Sequence, residues 1–322
     1  MPGSPTLSSG RVNPLLTNVL LAYTNASFLA DMIIPTVPGL KKEAGKIPEL
    51  GVSHLRSYSS KRSLYDESDH RINYDLNIDK TYQIDYYDES VYVPDRLQDQ
   101  LQKPFDAKQA AAFTAKNALM LEREIALATL LTSASTLTQN ITLSGNSQWD
   151  DTVNSNPDQN IDTGREAVLA ATGRYPNGVV LNYKVANAMQ RHPFFLEIAL
   201  RSLAGGVAKP TVLSKQGLID TLKAWYGFQY VLIGEQIYVN SKQGQTVTKT
   251  NVWGNDFVLF YRPTGPSLFE PSFAYSFQLA GKNLRVKERR HTNDKGNIIE
   301  CEWAYQDNIL DVNSAYLIKD AI

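Results

Sequence analysis

The residues that could carry out chemistry are few and lie far apart along the chain. The stretch from Gly39 to Ile47 contains glycines and lysines, as phosphate-binding loops do. However, five residues separate Gly39 from Gly45 where such a loop has four, and an isoleucine follows the lysine where magnesium binding needs serine or threonine. Dinucleotide-binding, nucleophile-elbow and zinc-protease motifs do not occur. The sequence therefore predicts a protein that is not an enzyme, with no catalytic, cofactor-binding or metal site.

Three further groups of polar residues favour structural over catalytic roles. Asp75, Asp79 and Asp85 recur on one face of a predicted strand but spread over roughly 30 Å, too far for an acid–base pair. His192 precedes a proline, which is typical of a helix end, and Cys301 is the single cysteine, on a predicted strand. A lone cysteine also excludes an internal disulfide framework.

Composition narrows the class of protein. The chain has 322 residues, a formal net charge of -1 and a pI of about 6.4. A dedicated DNA-binding module would be strongly basic, so that class is disfavoured. The beginning lacks a signal-peptide pattern, and residues 15–34 are too often interrupted by polar side chains to span a membrane.

The longest predicted element is a helix over residues 106–133. Asp106 is a good N-cap after Pro104, and the interior lacks glycine and proline. Glu124 falls within the predicted apolar stripe, so a buried Glu124 would need a cationic or hydrogen-bonding partner. A core helix with one satisfied carboxylate is favoured over a catalytic glutamate. The stripe consists of Phe113, Asn117, Met120, Glu124, Leu127 and Leu131.

A second long element is a predicted β-hairpin. From Ile72 to Tyr86, apolar residues occupy almost all even positions and acidic or amide residues most odd ones, which is typical of one long strand. The preceding arm, residues 54–64, is basic and would pair with it. A hairpin of this length is unstable alone, and no neighbouring stretch offers a continuous partner, so we expect it to contact another subunit. The charged residues expected in these intersubunit contacts are Arg56, Lys61, Arg62, Asp75, Asp79 and Asp85.

The rest of the chain divides into three parts. Residues 1–14 have the composition of a flexible arm, followed by a predicted helix at 15–30 and a proline-rich strap. Residues 160–262 alternate between predicted helices and strands, as in an α/β domain. The C-terminal part is predicted to be β, with residues 293–296 as a hairpin turn. That turn would place Lys287 opposite Glu302 and Arg289 opposite Glu300, with charge pairing favoured over nucleic-acid contact.

The order of these elements resembles the major capsid proteins of tailed bacteriophages, with the Hong Kong 97-like fold. The stretches that carry the resemblance are ADMIIPTVPG (30–39), LEREIALATLL (121–131), YPNGVVLNYKVANAMQRHP (175–193), NVWGNDFVLFYRP (251–263) and PSFAYSFQLAG (271–281). The resemblance covers nearly the whole chain and rests on order and spacing, because no single stretch is a strict signature.

The resemblance implies an α+β fold with a defined division. It assigns residues 1–48 to an N-arm, 49–88 to an extended hairpin called the E-loop, and 151–280 to an axial domain. Residues 89–150 and 281–313 would form a peripheral domain containing a long spine helix. Residues 314–322 would form a C-terminal strand.

The resemblance also implies a function and partners. The chain would self-assemble into pentamers and hexamers of an icosahedral head enclosing double-stranded DNA without sequence specificity. Expected partners are a separate scaffolding protein, a portal protein and a decoration protein, with assembly in the host cytoplasm and a final location in the virion. Two alternatives remain: an encapsulin-like shell around a cargo, and an unrelated soluble α/β enzyme.

Overall fold

The computed structural model describes residues 11–12, 28–50, 76–100, 106–202, 211–242, 244–266, 272–291 and 295–322. Four residues of the predicted intersubunit set, Arg56, Lys61, Arg62 and Asp75, lie outside these ranges, as do residues 15–27 of the predicted helix at 15–30.

Helices and strands alternate irregularly, which confirms the predicted α+β class. The helices, numbered along the described chain, are α1 (Ala30–Ile33), α2 (Asp95–Gln100), α3 (Ala107–Leu131), α4 (Pro157–Thr172), α5 (Tyr183–Arg191), α6 (Pro193–Ser202) and α7 (Lys215–Tyr226). The strands are β1 (Arg11–Val12), β2 (Thr36–Leu40), β3 (Ala44–Lys46), β4 (Glu49–Leu50), β5 (Leu76–Asn77), β6 (Thr81–Gln83), β7 (Asp85–Pro94), β8 (Asn140–Thr142), β9 (Gly178–Asn182), β10 (Tyr230–Gly234), β11 (Ile237–Val239), β12 (Lys249–Asn251), β13 (Phe257–Phe260), β14 (Ala274–Leu279), β15 (Arg285–His291), β16 (Gly296–Ile309) and β17 (Ala315–Lys319).

A five-stranded sheet forms the centre of the part of the chain predicted to be α/β. Its order is β10-β9-β13-β17-β8, with β9 parallel to β10 and antiparallel to β13. Every residue of β9 and β13 is buried. Helices α4 and α7 end at Gly173 and Gly227, both left-handed at φ of 74° and 75°, a conformation that glycine adopts without steric cost.

A second sheet joins strands from the beginning of the chain to strands within residues 274–309. Its order is β1-β15-β16-β14-β2, and β7 also pairs with β16. The 14-residue strand β16 is the central strand of this sheet, because it pairs with β15, β14 and β7.

Helix α3 is the predicted spine helix, but its buried face differs from the predicted stripe. Asp106 is the N-cap and accepts a hydrogen bond from the backbone N–H of Lys108 at 2.8 Å. Phe113, Asn117 and Met120 are only half-buried. The prediction assumed that the large apolar side chains would be buried, whereas this helix packs closely on the sheet through small ones. The buried residues of α3 are Ala107, Ala111, Ala112, Ala115, Lys116, Leu119, Arg123, Glu124, Leu127, Ala128 and Leu131.

The prediction of one long strand over residues 72–86 is wrong for residues 76–86, which the structure describes. The chain forms β5, β6 and β7 with breaks at 78–80 and at Ile84. β7 then runs to Pro94, and its ten residues all pair with β16. A continuous partner therefore exists within the chain. Buried Ile84 packs with Ile47, Phe277 and other residues of one apolar cluster, which explains the break in the alternation.

The predicted register of the last hairpin is also wrong, by two residues. Arg285 lies opposite Glu302 and Lys287 lies opposite Glu300, while Arg289 lies opposite Ile298. Gly296 is a strand residue paired with His291, not part of the turn. A Cβ at Gly296 would lie 2.5 Å from the ring of Tyr92, so the glycine serves close packing inside the sheet.

Candidate functional site

A polar cluster, buried except for the exposed Asp31, joins residues 29–31 to the spine helix. We call it the arm anchor and define it by Leu29, Ala30, Asp31, Arg123 and Glu124. The segment enters through α1, whose Ile33 and the following Ile34 are fully buried. They pack among residues of α3 and of both sheets, so one apolar cluster contains the strap, the spine helix and the five-stranded sheet.

Glu124 holds the beginning of α1. It is fully buried and its Oε2 accepts hydrogen bonds from the backbone N–H groups of Leu29 at 3.0 Å and Ala30 at 2.9 Å. Its Oε1 accepts one from Trp253 Nε1 at 2.8 Å. A carboxylate here satisfies N–H groups that the first turn of a helix leaves without partners.

Arg123 holds Asp31 and β16 at once. Its Nε donates to Asp307 Oδ2 at 2.7 Å and its Nη2 donates to Asp307 Oδ1 at 3.1 Å, which is a bidentate pair. Its Nη1 donates to Asp31 Oδ1 at 2.6 Å. The guanidinium also lies over the rings of Trp303 and Tyr305, with centroids at 4.8 and 5.1 Å.

Arg262 contacts the other end of α1. Its guanidinium donates to the backbone carbonyl of Met32 and lies 3.5 Å from that of Asp31. An anionic group at the first turn and a cationic group at the last complement the dipole of this short helix. The beginning of α1 is thus held by the spine, and its end by the loop that follows β13.

The electrostatics of the anchor follow from burial and pairing. Burial raises the pKa of Glu124, while the hydrogen bonds from Trp253, Ala30 and Leu29 and the neighbouring Arg123 oppose this. For Arg123, burial lowers the pKa, but Asp307 and Asp31 outweigh it and the net pKa is raised. Arg123 therefore remains charged at every physiological pH.

Two of the predicted intersubunit residues are described, and both lie at the surface. Asp79 and Asp85 are exposed. Asp88 and Glu89 of β7 are exposed as well, which makes β7 an acidic strand. Among the described residues, no ion pair is found for these four carboxylates.

The predicted charge pairs of the last hairpin are arranged diagonally. Glu302 Oε2 accepts from Arg285 Nη2 at 2.8 Å, and its Oε1 accepts from Lys287 Nζ. Arg289 Nε lies 3.7 Å from Glu300 Oε2. The side chains reach across the two-residue shift because diagonal neighbours on a sheet are within range of long side chains.

A small apolar surface lies on the hairpin of β11 and β12. Ile237 is 51% exposed and Val239 is 54% exposed, and Val247 in the connecting loop is 63% exposed. Three exposed β-branched side chains on one hairpin form a candidate contact surface.

The described residues contain no group of three or more His, Cys, Asp or Glu side chains suited to a metal ion. In the described part of the chain, no helix has both the length and the apolarity needed to cross a bilayer. Cys301 is buried, and burial raises the pKa of its thiol to about 12, so the thiolate is scarce near neutral pH.

Sequence reasoning found Glu124 but missed its partners. Its hydrogen-bond donors, Leu29, Ala30 and Trp253, come from segments far from α3, and no local spacing links them. The ion pairs of Arg123 with Asp31 and Asp307 were missed as well, and three consecutive charged residues, 122–124, within a largely apolar helix were the available signal.

Comparisons with known proteins agree with the resemblance found in the sequence. The chain is 29% identical over 324 residues to a protein named major capsid protein from Burkholderia phage BcepMu, covering 96% of both chains. No model of a known protein family matches the chain.

Solved structures share the fold. A phage-related protein from Bordetella bronchiseptica superposes with a TM-score of 0.73 at 23% identity, covering 97% of this chain and 98% of that one. The mature capsid of bacteriophage PhiM1 gives a TM-score of 0.56 at 11% identity, covering 92% of this chain and 88% of that one. These similarities confirm the predicted capsid-like fold.

Proposed function

We propose that this chain is the major capsid protein of a tailed double-stranded DNA bacteriophage, and that it assembles into the pentamers and hexamers of an icosahedral head. The observation that carries the proposal is the similarity to the BcepMu major capsid protein, which extends over 96% of both chains. Its role is structural, and its location is the capsid of the virion.

The arm anchor supports this function because it fixes residues 29–31, which lie within the proposed N-arm, to the spine helix. Residues 1–48 are the N-arm in this proposal, 49–88 the E-loop, 89–150 and 281–313 the peripheral domain and 151–280 the axial domain. Arg123 binds Asp31 and Asp307 together, and Glu124 binds α1 and Trp253 together. A neighbouring subunit that binds the N-arm would therefore affect both the peripheral and the axial domain.

The exposed charges and apolar groups supply candidate contacts between copies. The acidic side chains of Asp79 and Asp85 complement the basic E-loop residues Arg56, Lys61 and Arg62, and we assign them to contacts between neighbouring subunits. The apolar hairpin surface of Ile237, Val239 and Val247 is assigned to contacts between axial domains.

The remaining partners follow from the same proposal. A scaffolding protein, a portal protein and a decoration protein would assemble with the shell in the host cytoplasm. Packaged DNA would be enclosed without sequence-specific contact.

Electron microscopy of the purified chain, expressed with and without a candidate scaffolding protein, tests the proposal. Icosahedral shells that package DNA are the expected result. Shells that enclose an enzyme would favour the encapsulin-like alternative, and a monomer with no tendency to assemble would favour a soluble enzyme and overturn the proposal.

A further inference from the structure

His192 lies between two helices of the proposed axial domain. It follows α5 and directly precedes Pro193, the first residue of α6. The side chain is 4% exposed, and its ring packs edge-on against Phe195 with centroids 6.1 Å apart. A proline at the first helical position is favourable, so His192 is the N-cap of α6.

The hydrogen bonds around the ring define which nitrogen carries the proton. The backbone N–H of Phe194 donates to His192 Nδ1 at 3.3 Å, so Nδ1 must be unprotonated. Ser155 Oγ donates its only hydrogen to the carbonyl of Asp151 at 2.5 Å, so it can only accept from His192 Nε2 at 3.2 Å. The neutral Nε2–H tautomer satisfies the whole chain of bonds.

This chain of bonds connects α6 to the loop before α4. In that loop, Asp151 Oδ1 accepts from the backbone N–H groups of Val153 and Asn154 at 2.9 and 3.0 Å. Its carboxylate therefore forms its hydrogen bonds within its own loop. Arg191 is exposed, and none of the described charged side chains forms an ion pair with His192.

We infer that His192 is an acid-sensitive helix cap. Its protonation removes the cap from the first turn of α6 and lowers the local stability of this part of the axial domain. A second ring proton would sit on Nδ1 and point at the N–H of Phe194, so the cap would be lost. Burial lowers the pKa of His192 and outweighs a hydrogen bond with Ser155 that raises it, so the net pKa is lowered, which is consistent with this penalty.

Hydrogen exchange of the purified full chain tests the inference independently of shell formation. We expect the amides of residues 194–197, corrected for intrinsic rates, to exchange about tenfold faster at about pH 5 than at about pH 7.5, because a doubly protonated ring no longer caps the helix. His192→Asn keeps an uncharged N-cap and should remove this response. His291→Asn, on β15, is the matched control and should retain it.

An acid response that persists in His192→Asn, or its absence in the wild type, would overturn the inference. If His192→Asn does not fold, the tautomer of the wild-type ring decides. Long-range ¹⁵N NMR at neutral pH should show a protonated Nε2, and a protonated Nδ1 would refute the proposed chain of hydrogen bonds.

Discussion

Glu124 accepts hydrogen bonds only from N–H groups, so its two carboxylate oxygens match their surroundings and an amide would not. In Glu124→Gln, the side-chain NH₂ would face either Trp253 Nε1–H or the N–H groups of Leu29 and Ala30. We expect a loss of about 2 kcal/mol in the free energy of unfolding, because at least one buried donor would lack an acceptor in either orientation. Urea denaturation measures this. Glu122→Gln, two residues away and exposed, should change stability by less than about 0.5 kcal/mol.

Glu302 gives the last hairpin a defined pH dependence. Burial raises its pKa, but Lys287 and Arg285 outweigh this, so the net pKa is lowered. A lowered carboxyl pKa stabilises the fold above the ordinary value of about 4.3, and this stabilisation is lost as the pH falls through the folded-state value. Glu302→Gln should therefore cost about 1 kcal/mol at neutral pH and nothing in strong acid. Denaturation of both proteins at a series of pH values measures this difference. A loss in the free energy of unfolding that stays constant across the pH range would contradict the role assigned to Glu302.

At the scale of elements, the spine helix depends on the small size of its buried side chains. Ala115 is 1% exposed and packs with Val286, Ile299 and Cys301 of the second sheet. Ala115→Leu should lower the free energy of unfolding by about 1–3 kcal/mol, because the added atoms would force the helix away from the sheet. Ala118→Leu makes the same change on the exposed face and should be nearly neutral. Equal costs for the two variants, measured by denaturant unfolding, would mean that close packing does not set the position of α3.

The elements that the sequence predicted well are those with local signals. The start of α3 is marked by Asp106, and the end of α5 is marked by His192, which precedes a proline. Register and burial depend on partners elsewhere in the chain. Gly296 resembles a turn glycine until Tyr92, about 200 residues earlier, is known to cover it. The arm anchor could not be predicted for the same reason, because Asp31, Arg123 and Asp307 meet only in the fold.

At the scale of the whole molecule, a substitution on the β11–β12 hairpin can distinguish an effect on assembly from an effect on folding. Val239 is 54% exposed, so Val239→Asp should leave the free energy of unfolding within about 0.5 kcal/mol of the wild type. In the proposed shell, the new carboxylate would be buried between axial domains, and we expect shell yield to fall at least about tenfold. Val239→Ile keeps the apolar contact and should assemble. Light scattering and electron microscopy give the yield, and normal shells from Val239→Asp would remove this hairpin from the proposed interface.

Substitutions of the exposed residues Asp79 and Asp85 test whether the E-loop recognises a neighbouring subunit through charge. Asp79→Lys combined with Asp85→Lys should block assembly without unfolding the chain, since both residues are exposed. Reversal of Arg56, Lys61 and Arg62 to glutamate should block it as well. All five changes in one chain restore complementary charges, so shells should form again. Because exposed charges are screened by salt, the blocked variants should differ less from wild type at about 1 M salt than at about 0.1 M. Failure of the combined variant, with each parent blocked and folded, would show that these charges do not face each other.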